Sequence, residues 1–331
     1  GIVGPGRGSA PSSLVNYLLG ITEINPMEFG LIPEKFFSYN LDMVPDIDID
    51  VDPSGYAIAQ EYLAGKYVKL DFLKLPQLCV SVLTESESLD DKETMDIFSS
   101  GDTTGVFQFE FEGTKEWLKE IKPDKFEHLV AINSLCRPGA LGRLPMYSAL
   151  RYGTFKDLPF IHDENTFSNL HNITDETYGM ILYQEQLMEI VSKVASFSLM
   201  EQRRLCKSAG PNNPHQMIDG EWVNILENLR EKFLAGGIAN GYDEELLTRF
   251  WNGFVCSDNA QYLLNKAHMV SYTLISYRCA YLKAHNPALF YNTLYPILEC
   301  DEDRKALYDD ALEHGLVYMK STGNFYSIIE E

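Results

Sequence analysis

The segment 44–52 alternates strictly between apolar and acidic side chains from Pro45 onward, and this pattern restricts the fold more than any other segment does. Because successive side chains of a β-strand point to opposite faces, the alternation predicts a strand with one buried apolar face and one acidic face. The apolar face carries Ile47, Ile49 and Val51, and the acidic face carries Asp46, Asp48, Asp50 and Asp52.

The first third of the chain is predicted to form a small α/β unit. A second alternating segment at 67–73 predicts another strand, and a short helix is expected near 57–64. From about residue 85 the apolar spacing becomes helical, with one short strand candidate at 105–109. Helices are predicted near 14–19, 88–99, 113–120, 125–135, 175–196, 199–208, 216–235, 243–254 and 268–284.

Four aspartates on one face of a strand repel one another, because side chains on that face are only about 7 Å apart. One interpretation is an exposed edge strand with water on its polar face. The other is a divalent-metal site, in which Asp46 and Asp48 project in parallel and Asp71 on the second strand is the third ligand. Carboxylate oxygens suit Mg²⁺, and three carboxylates can hold two ions for an in-line displacement.

Two further features suggest phosphate binding. The glycine-rich segment 1–12 ends near Gly8 and Ser9, where open N–H groups, a hydroxyl and Arg7 can surround a triphosphate. The alternative interpretation is a tight surface turn. A later helix begins at a capping box and places three cations within one turn, and its alternative interpretation is a solvated face. These cations are Arg203, Arg204 and Lys207.

The composition argues against a simple nucleic-acid binder. The 331 residues, enough for about two domains, include 27 Lys and Arg against 48 Asp and Glu, so the net charge is −21. Contacts with phosphate backbones therefore require local basic clusters or bound cations. The six cysteines have no CxxC spacing, which predicts a reducing, cytoplasmic environment, and no apolar run is long enough to cross a membrane.

Six motifs, in order along residues 1–290, resemble the bacterial replicative DNA polymerases of family C, the alpha subunits of DNA polymerase III. The first motif, GPGRGSAPSSLVNYLLGITEINPMEFGLIPEKF followed by PDIDID, resembles the palm, and the second, VKLDFLKL, resembles the palm's second catalytic strand. The later motifs follow in the family's order. They are TTGVFQFE, NSLCRPGALG, TYGMILYQEQLMEIV and NKAHMVSYTLISYRCAYLKAHNP.

The resemblance implies an α/β palm of the polymerase-beta-like nucleotidyltransferase type over residues 1–80, followed by mainly helical fingers over 81–298, with 299–331 unassigned. It implies a DNA-directed DNA polymerase that uses two Mg²⁺ ions, dNTPs and primer–template DNA, with the sliding clamp and other replisome proteins as partners through segments absent here. The implied catalytic and metal-binding residues are Asp46, Asp48 and Asp71. The implied nucleotide-binding residues are Arg7, Gly8, Ser9, Arg203, Arg204, Lys207, Lys266 and His268.

The departures from the family leave alternatives open. Asp48 and Asp71 are only 23 positions apart, where the family has a long stretch that includes the thumb. The chain is therefore either a trimmed or phage-encoded polymerase, or the ordered parts of a longer polypeptide. Two other functions remain open: a catalytically inactive relic that binds DNA or replication partners, and a nucleotidyltransferase that modifies a small acceptor without a template.

Overall fold

The computed structural model describes residues 2–36, 47–63, 72–84, 88–154, 168–211, 215–218 and 221–327. The chain forms two compact units, of which unit 1 comprises Gly1–Asn133 with Ala267–Glu331 and unit 2 comprises Ser134–Lys266. The described structure is mostly helical, with three two-stranded sheets. Within these ranges no helix has both the length and the hydrophobicity of a bilayer span.

The elements follow in chain order. The first part of unit 1 contains α1 (Leu14–Leu18), β1 (Ile49–Val51), α2 (Pro53–Leu63), β2 (Phe72–Lys74), α3 (Leu78–Ser81), α4 (Lys92–Ser100), α5 (Glu112–Ile121) and α6 (Phe126–Leu135). Unit 2 contains α7 (Leu144–Arg151), α8 (Gln184–Ala195), α9 (Leu199–Ser208), β3 (His215–Ile218), β4 (Glu221–Asn224), α10 (Ile225–Ala239), α11 (Glu244–Phe250) and α12 (Asp258–Gln261). The chain then continues through α13 (Lys266–His285), α14 (Pro287–Leu294), α15 (Asp301–Glu313), β5 (Leu316–Met319) and β6 (Asn324–Ser327).

Strand β1 pairs in parallel with β2, with Ile49 opposite Phe72 and Val51 opposite Lys74. The predicted strand is confirmed over its last part, whereas residues 44–46 lie outside the described ranges. The prediction of a single buried face is wrong, because Asp50 and Asp52 are only 2% and 3% exposed. Each of these buried carboxylates has at least one polar partner, which offsets part of its loss of hydration, although Asp50 Oδ2 has no hydrogen bond within the described ranges.

The strand prediction at 105–109 is also wrong. These residues form turns in which Gln108 has a φ of 66°, and the apolar side chains of Val106 and Phe109 are fully buried. Gly105, at φ 76°, has no room for a side chain, because an added Cβ would lie 2.8 Å from Leu307 and 3.0 Å from Phe290. A short apolar run here marks a buried loop and not a strand.

Two predicted helices begin later than expected. The helix predicted at 175–196 is α8 and begins at Gln184, where Gln186 Oε1 accepts the backbone N–H groups of Leu182 and Tyr183 at 2.7 and 3.0 Å. The helix predicted at 216–235 is α10, and the antiparallel hairpin β3–β4 precedes it. The capping box of α9 is confirmed, because Ser198 N–H donates to Glu201 Oε2 at 2.8 Å.

Unit 2 has a core of aliphatic and aromatic side chains. Phe233 is fully buried, and its ring centroid lies 5.8 Å from that of Phe250 and 5.3 Å from that of Trp251. Residues of α8, α9, α10 and α11 contribute to the same cluster. The burial of this apolar surface stabilises the unit.

In unit 1, helix α13 is buried on nearly all sides. Near its C-terminal end, Lys283 is 1% exposed. Its Nζ contacts Asp102 Oδ1 at 2.7 Å and Asp310 Oδ2 at 2.9 Å. His314 Nε2 contacts Asp102 Oδ2 at 2.8 Å, and the Tyr291 hydroxyl donates to Asp310 at 2.6 Å. We call these five residues the Lys283 cluster.

The Lys283 cluster gives the segment after residue 298, for which the sequence offered no assignment, a defined place in unit 1. Asp310 and His314 lie in and just after α15, and both contact residues from other parts of the unit. Asp102, Asp310 and His314 are close enough to hold a metal ion, but the Lys283 ammonium already supplies the positive charge between the two carboxylates.

Candidate active site

The glycine-rich loop runs beside β1. The Gly4 N–H donates to the Asp50 carbonyl oxygen at 2.9 Å, and Val3 forms a bridge with Val51. Gly8 has a φ of 61°, a left-handed conformation that favours glycine. A Cβ added to Gly8 would lie 3.2 Å from Asp48 Oδ2. The loop predicted to bind phosphate therefore lies directly against Asp48, one of the three predicted metal ligands.

The three aspartates described in this segment have different surroundings. Asp52 accepts the backbone N–H groups of Ile2 at 2.6 Å and Gly55 at 3.0 Å, so it caps the start of α2. Asp50 forms an ion pair with Arg7, with 3.0 Å between Oδ1 and NH1. Asp48 is half-buried and has no hydrogen bond or ion pair with any residue in the described ranges. Of the three, Asp48 is the one whose oxygens remain available to a cation.

The pKa values of the two buried aspartates are shifted in opposite directions. Burial raises the pKa of Asp50, although the hydrogen bond from Arg7 opposes this effect. Burial also acts to raise the pKa of Asp52, but hydrogen bonds from Ser54 and from the backbone of Ile2 outweigh it and lower that pKa. Asp52 is therefore kept ionised by the same hydrogen bonds through which it caps α2.

Two side chains of α13 complete this site. His268 Nδ1 accepts the Gly8 N–H at 3.2 Å, so His268 lies against the glycine-rich loop, and its role in nucleotide binding remains a prediction. The ring centroid of Tyr272, one turn later, lies 4.1 Å from that of His268. Tyr272 is also beside Asp50, and burial together with the Asp50 charge raises the pKa of its phenol. The sequence had suggested no role for Tyr272.

The other predicted nucleotide-binding residues belong to unit 2, which is described by itself. Lys266 Nζ pairs with Glu176 at 2.8 Å, and its backbone N–H contacts both Glu185 oxygens at 3.0 and 3.1 Å. On α9, burial lowers the pKa of Arg203. The roles of Lys266 and of the α9 cations Arg203, Arg204 and Lys207 in nucleotide binding remain predictions.

Asp46 and Asp71 lie outside the described residues. The predicted convergence of Asp46, Asp48 and Asp71 on a two-ion site is therefore still a prediction. Carboxylate oxygens are ligands for hard cations such as Mg²⁺, and the Asp48 carboxylate has no partner among the described residues.

Two family models match the chain, and the boundary between them falls at the start of α3. Residues 1–78 match the bacterial DNA polymerase III alpha NTPase domain, and residues 79–240 match the bacterial DNA polymerase III alpha subunit finger domain. The chain belongs to the bacterial DNA polymerase III alpha subunit family. The resemblance of the ordered motifs to this family is thus confirmed, and the helical structure from α4 onward is consistent with it.

Curated members of the DNA polymerase III alpha family match most of the chain. The DNA polymerase III subunit alpha of Staphylococcus epidermidis ATCC 12228 is 26% identical, over 94% of this chain and 41% of the relative. That of Staphylococcus aureus COL is 25% identical, over 96% of this chain and 42% of the relative. The chain thus spans about two fifths of these relatives' length. The first alignment covers 451 positions, more than the 331 residues of the chain, so it contains gaps.

Proposed function

We propose that this chain carries the catalytic core of a template-directed DNA polymerase, which transfers a nucleotidyl group from a dNTP to a primer 3′-OH. The observation that carries the proposal is the close approach of Gly8 in the glycine-rich loop to Asp48, whose carboxylate has no hydrogen bond or ion pair within the described ranges. This arrangement brings together an anion-binding backbone and a cation ligand, as the transfer of a metal-bound triphosphate requires.

In this proposal the palm is of the polymerase-beta-like type and covers residues 1–80, and the fingers cover 81–298. Asp46, Asp48 and Asp71 hold two Mg²⁺ ions, which when bound supply Lewis-acid stabilisation of the attacking and leaving oxygens. The N–H groups near Ser9 and the Arg7 guanidinium bind the triphosphate, whose β- and γ-phosphates leave as pyrophosphate. Arg203, Arg204, Lys207, Lys266 and His268 assist in binding the nucleotide.

The test is primer extension with the Asp48→Asn variant. We expect the extension rate to fall at least about a hundredfold, the scale observed when one electrostatic group is removed from a catalytic site. The fold should remain intact, because loss of the charge relieves repulsion with the nearby Asp50. The matched control is Asp52→Asn, which keeps the Oδ1 that accepts the N–H groups of Ile2 and Gly55 and should extend primers at the wild-type rate.

Wild-type rates in Asp48→Asn would refute the assignment of Asp48. A second candidate, an inactive relic that binds DNA or replication partners, is favoured by the gaps in the alignment with complete relatives. Extension by the wild-type chain with Mg²⁺ decides between the two. A relic would bind primer–template DNA and leave it unextended.

A further inference from the structure

The ion pair between Arg7 and Asp50 joins the glycine-rich loop to β1. The side chain of Asp50 is 1% exposed, whereas that of Arg7 is 34% exposed. A buried carboxylate is stable only when it is paired and hydrogen-bonded, so Asp50 holds one end of the Arg7 guanidinium firmly. Because Asp50 is surrounded by protein, it cannot follow Arg7 if the loop moves.

Within the described ranges, Asp50 is the one residue that accepts a hydrogen bond from the Arg7 guanidinium. Arginine has five N–H donors in a fixed plane, and the hydrogen bond of Arg7 to Asp50 uses only one of them. No other described residue accepts a hydrogen bond from Arg7. Since a third of the side chain is exposed, its free N–H groups can reach a ligand at the loop. Such a planar set of donors suits two oxygens of a phosphate.

Helix α13 contacts both Asp50 and the loop residue that follows Arg7. Tyr272 lies beside Asp50, and His268 holds the next loop residue through the Gly8 N–H. The two rings are in contact with each other. The loop is therefore fixed at two adjacent residues by one strand and one helix. A guanidinium held in this way loses little conformational entropy when it binds a ligand.

We propose that Asp50, supported by Tyr272, is a positioning residue that holds Arg7 ready to bind the triphosphate of the incoming nucleotide. This inference rests on the proposed function. The competing explanation is that Arg7 is present only to neutralise a buried carboxylate. In that case, changes at Asp50 would alter stability and leave nucleotide affinity unchanged.

The experiment measures nucleotide affinity without turnover, by titrating the full chain with a fluorescent dATP analogue in the presence of Ca²⁺. Arg7→Gln should weaken binding about 10- to 100-fold, the value of a charge-assisted hydrogen bond. Asp50→Asn should weaken it less, about 3- to 10-fold, because Arg7 is still present but no longer held. The double variant should bind no more weakly than Arg7→Gln alone.

Three outcomes would overturn the proposal. The first is wild-type nucleotide affinity in Asp50→Asn, and the second is a double variant whose loss of affinity equals the product of the two single losses. The third is an equally large loss of affinity in the control Asp52→Asn. If Asp50→Asn fails to fold, Tyr272→Phe replaces it, because it removes only a hydroxyl beside Asp50. Weaker binding in Tyr272→Phe, with no further effect once Arg7 is glutamine, supports the proposal, and wild-type affinity refutes it.

Two further measurements separate this inference from the proposed function. Inorganic tripolyphosphate should bind the wild type, Asp50→Asn and Arg7→Gln in the same order of affinity as the nucleotide does, because Arg7 contacts phosphate and not the base or sugar. In primer extension, Asp50→Asn should raise the dNTP KM and leave kcat nearly unchanged. A wild-type chain that binds neither probe would refute both proposals, whereas normal wild-type binding with an unaffected Asp50→Asn refutes only the positioning role.

Discussion

Replacement of Lys283 by methionine tests how far the buried charges of unit 1 stabilise the fold. The ammonium contacts two carboxylates and also the backbone oxygens of Asp102 and Thr104, at 3.0 and 3.3 Å. Methionine matches the aliphatic part of the lysine side chain but lacks the ammonium, so it leaves the carboxylates without their cation. Removing one partner of a buried ion pair costs about 3–5 kcal/mol. In a domain of this size, that loss lowers the Tm by about 10 °C.

The assay is urea and thermal unfolding of the wild type and the Lys283→Met variant at pH 7. Lys74→Met is the matched control, because Lys74 pairs with Glu299 at the surface, where an ion pair contributes at most about 1 kcal/mol. The double variant Lys283→Met with Asp310→Asn should recover part of the loss, since one of the stranded charges is gone. If Lys283→Met loses no more stability than Lys74→Met, the Lys283 cluster does not stabilise unit 1 as argued.

Two further predictions concern pH and the loop. The hydrogen bond to Asp102 raises the pKa of His314 in the folded protein. The imidazolium therefore stabilises the fold fully below the pKa of the unfolded state, about 6.5, and this stabilisation is lost as the pH rises through the pKa of the folded state. In unfolding experiments, the stability difference between wild type and His314→Gln should therefore shrink from pH 6 to pH 9, and a growing difference would contradict this. Gly8→Ala should lower the free energy of unfolding by about 1–2 kcal/mol, because alanine is strained at a positive φ. It should also weaken dNTP binding, because the added Cβ crowds Asp48. The control Gly20→Ala, at φ 69° in open space, should lower stability without changing dNTP binding.

Local signals in the sequence correctly predicted the elements that depend on local chemistry. The capping box at Ser198 located the start of α9 to the residue. Two other local signals lie at turns and caps that periodicity does not indicate. Asp52 stands before Pro53, the usual arrangement of a cap and a first helical residue, and Asp219-Gly220 stands between β3 and β4, as in many hairpins.

The remaining features depend on contacts between distant parts of the chain. Arg7 and Asp50 are 43 positions apart, and Gly8 and His268 are 260 positions apart. Strict alternation assigned Asp48, Asp50 and Asp52 to one acidic face, but it could not indicate which of them would be paired, used as a cap or left available. That distinction depends on which neighbours the folded chain supplies, and periodicity contains no information about them.

The division of the chain has a consequence for synthesis on the ribosome. The first 133 residues of unit 1 pack against α13, through Asn133 with Thr273 and Phe107 with Ser276 as well as Gly8 with His268. All of unit 2 is translated before α13 emerges, which takes roughly ten seconds at bacterial elongation rates. Throughout that interval the glycine-rich loop and the aspartate strand lack the helix that supports them. Unit 2 is continuous in sequence and has its own core, so it can complete its folding first, and the proposed nucleotide site is among the last parts of the molecule to form.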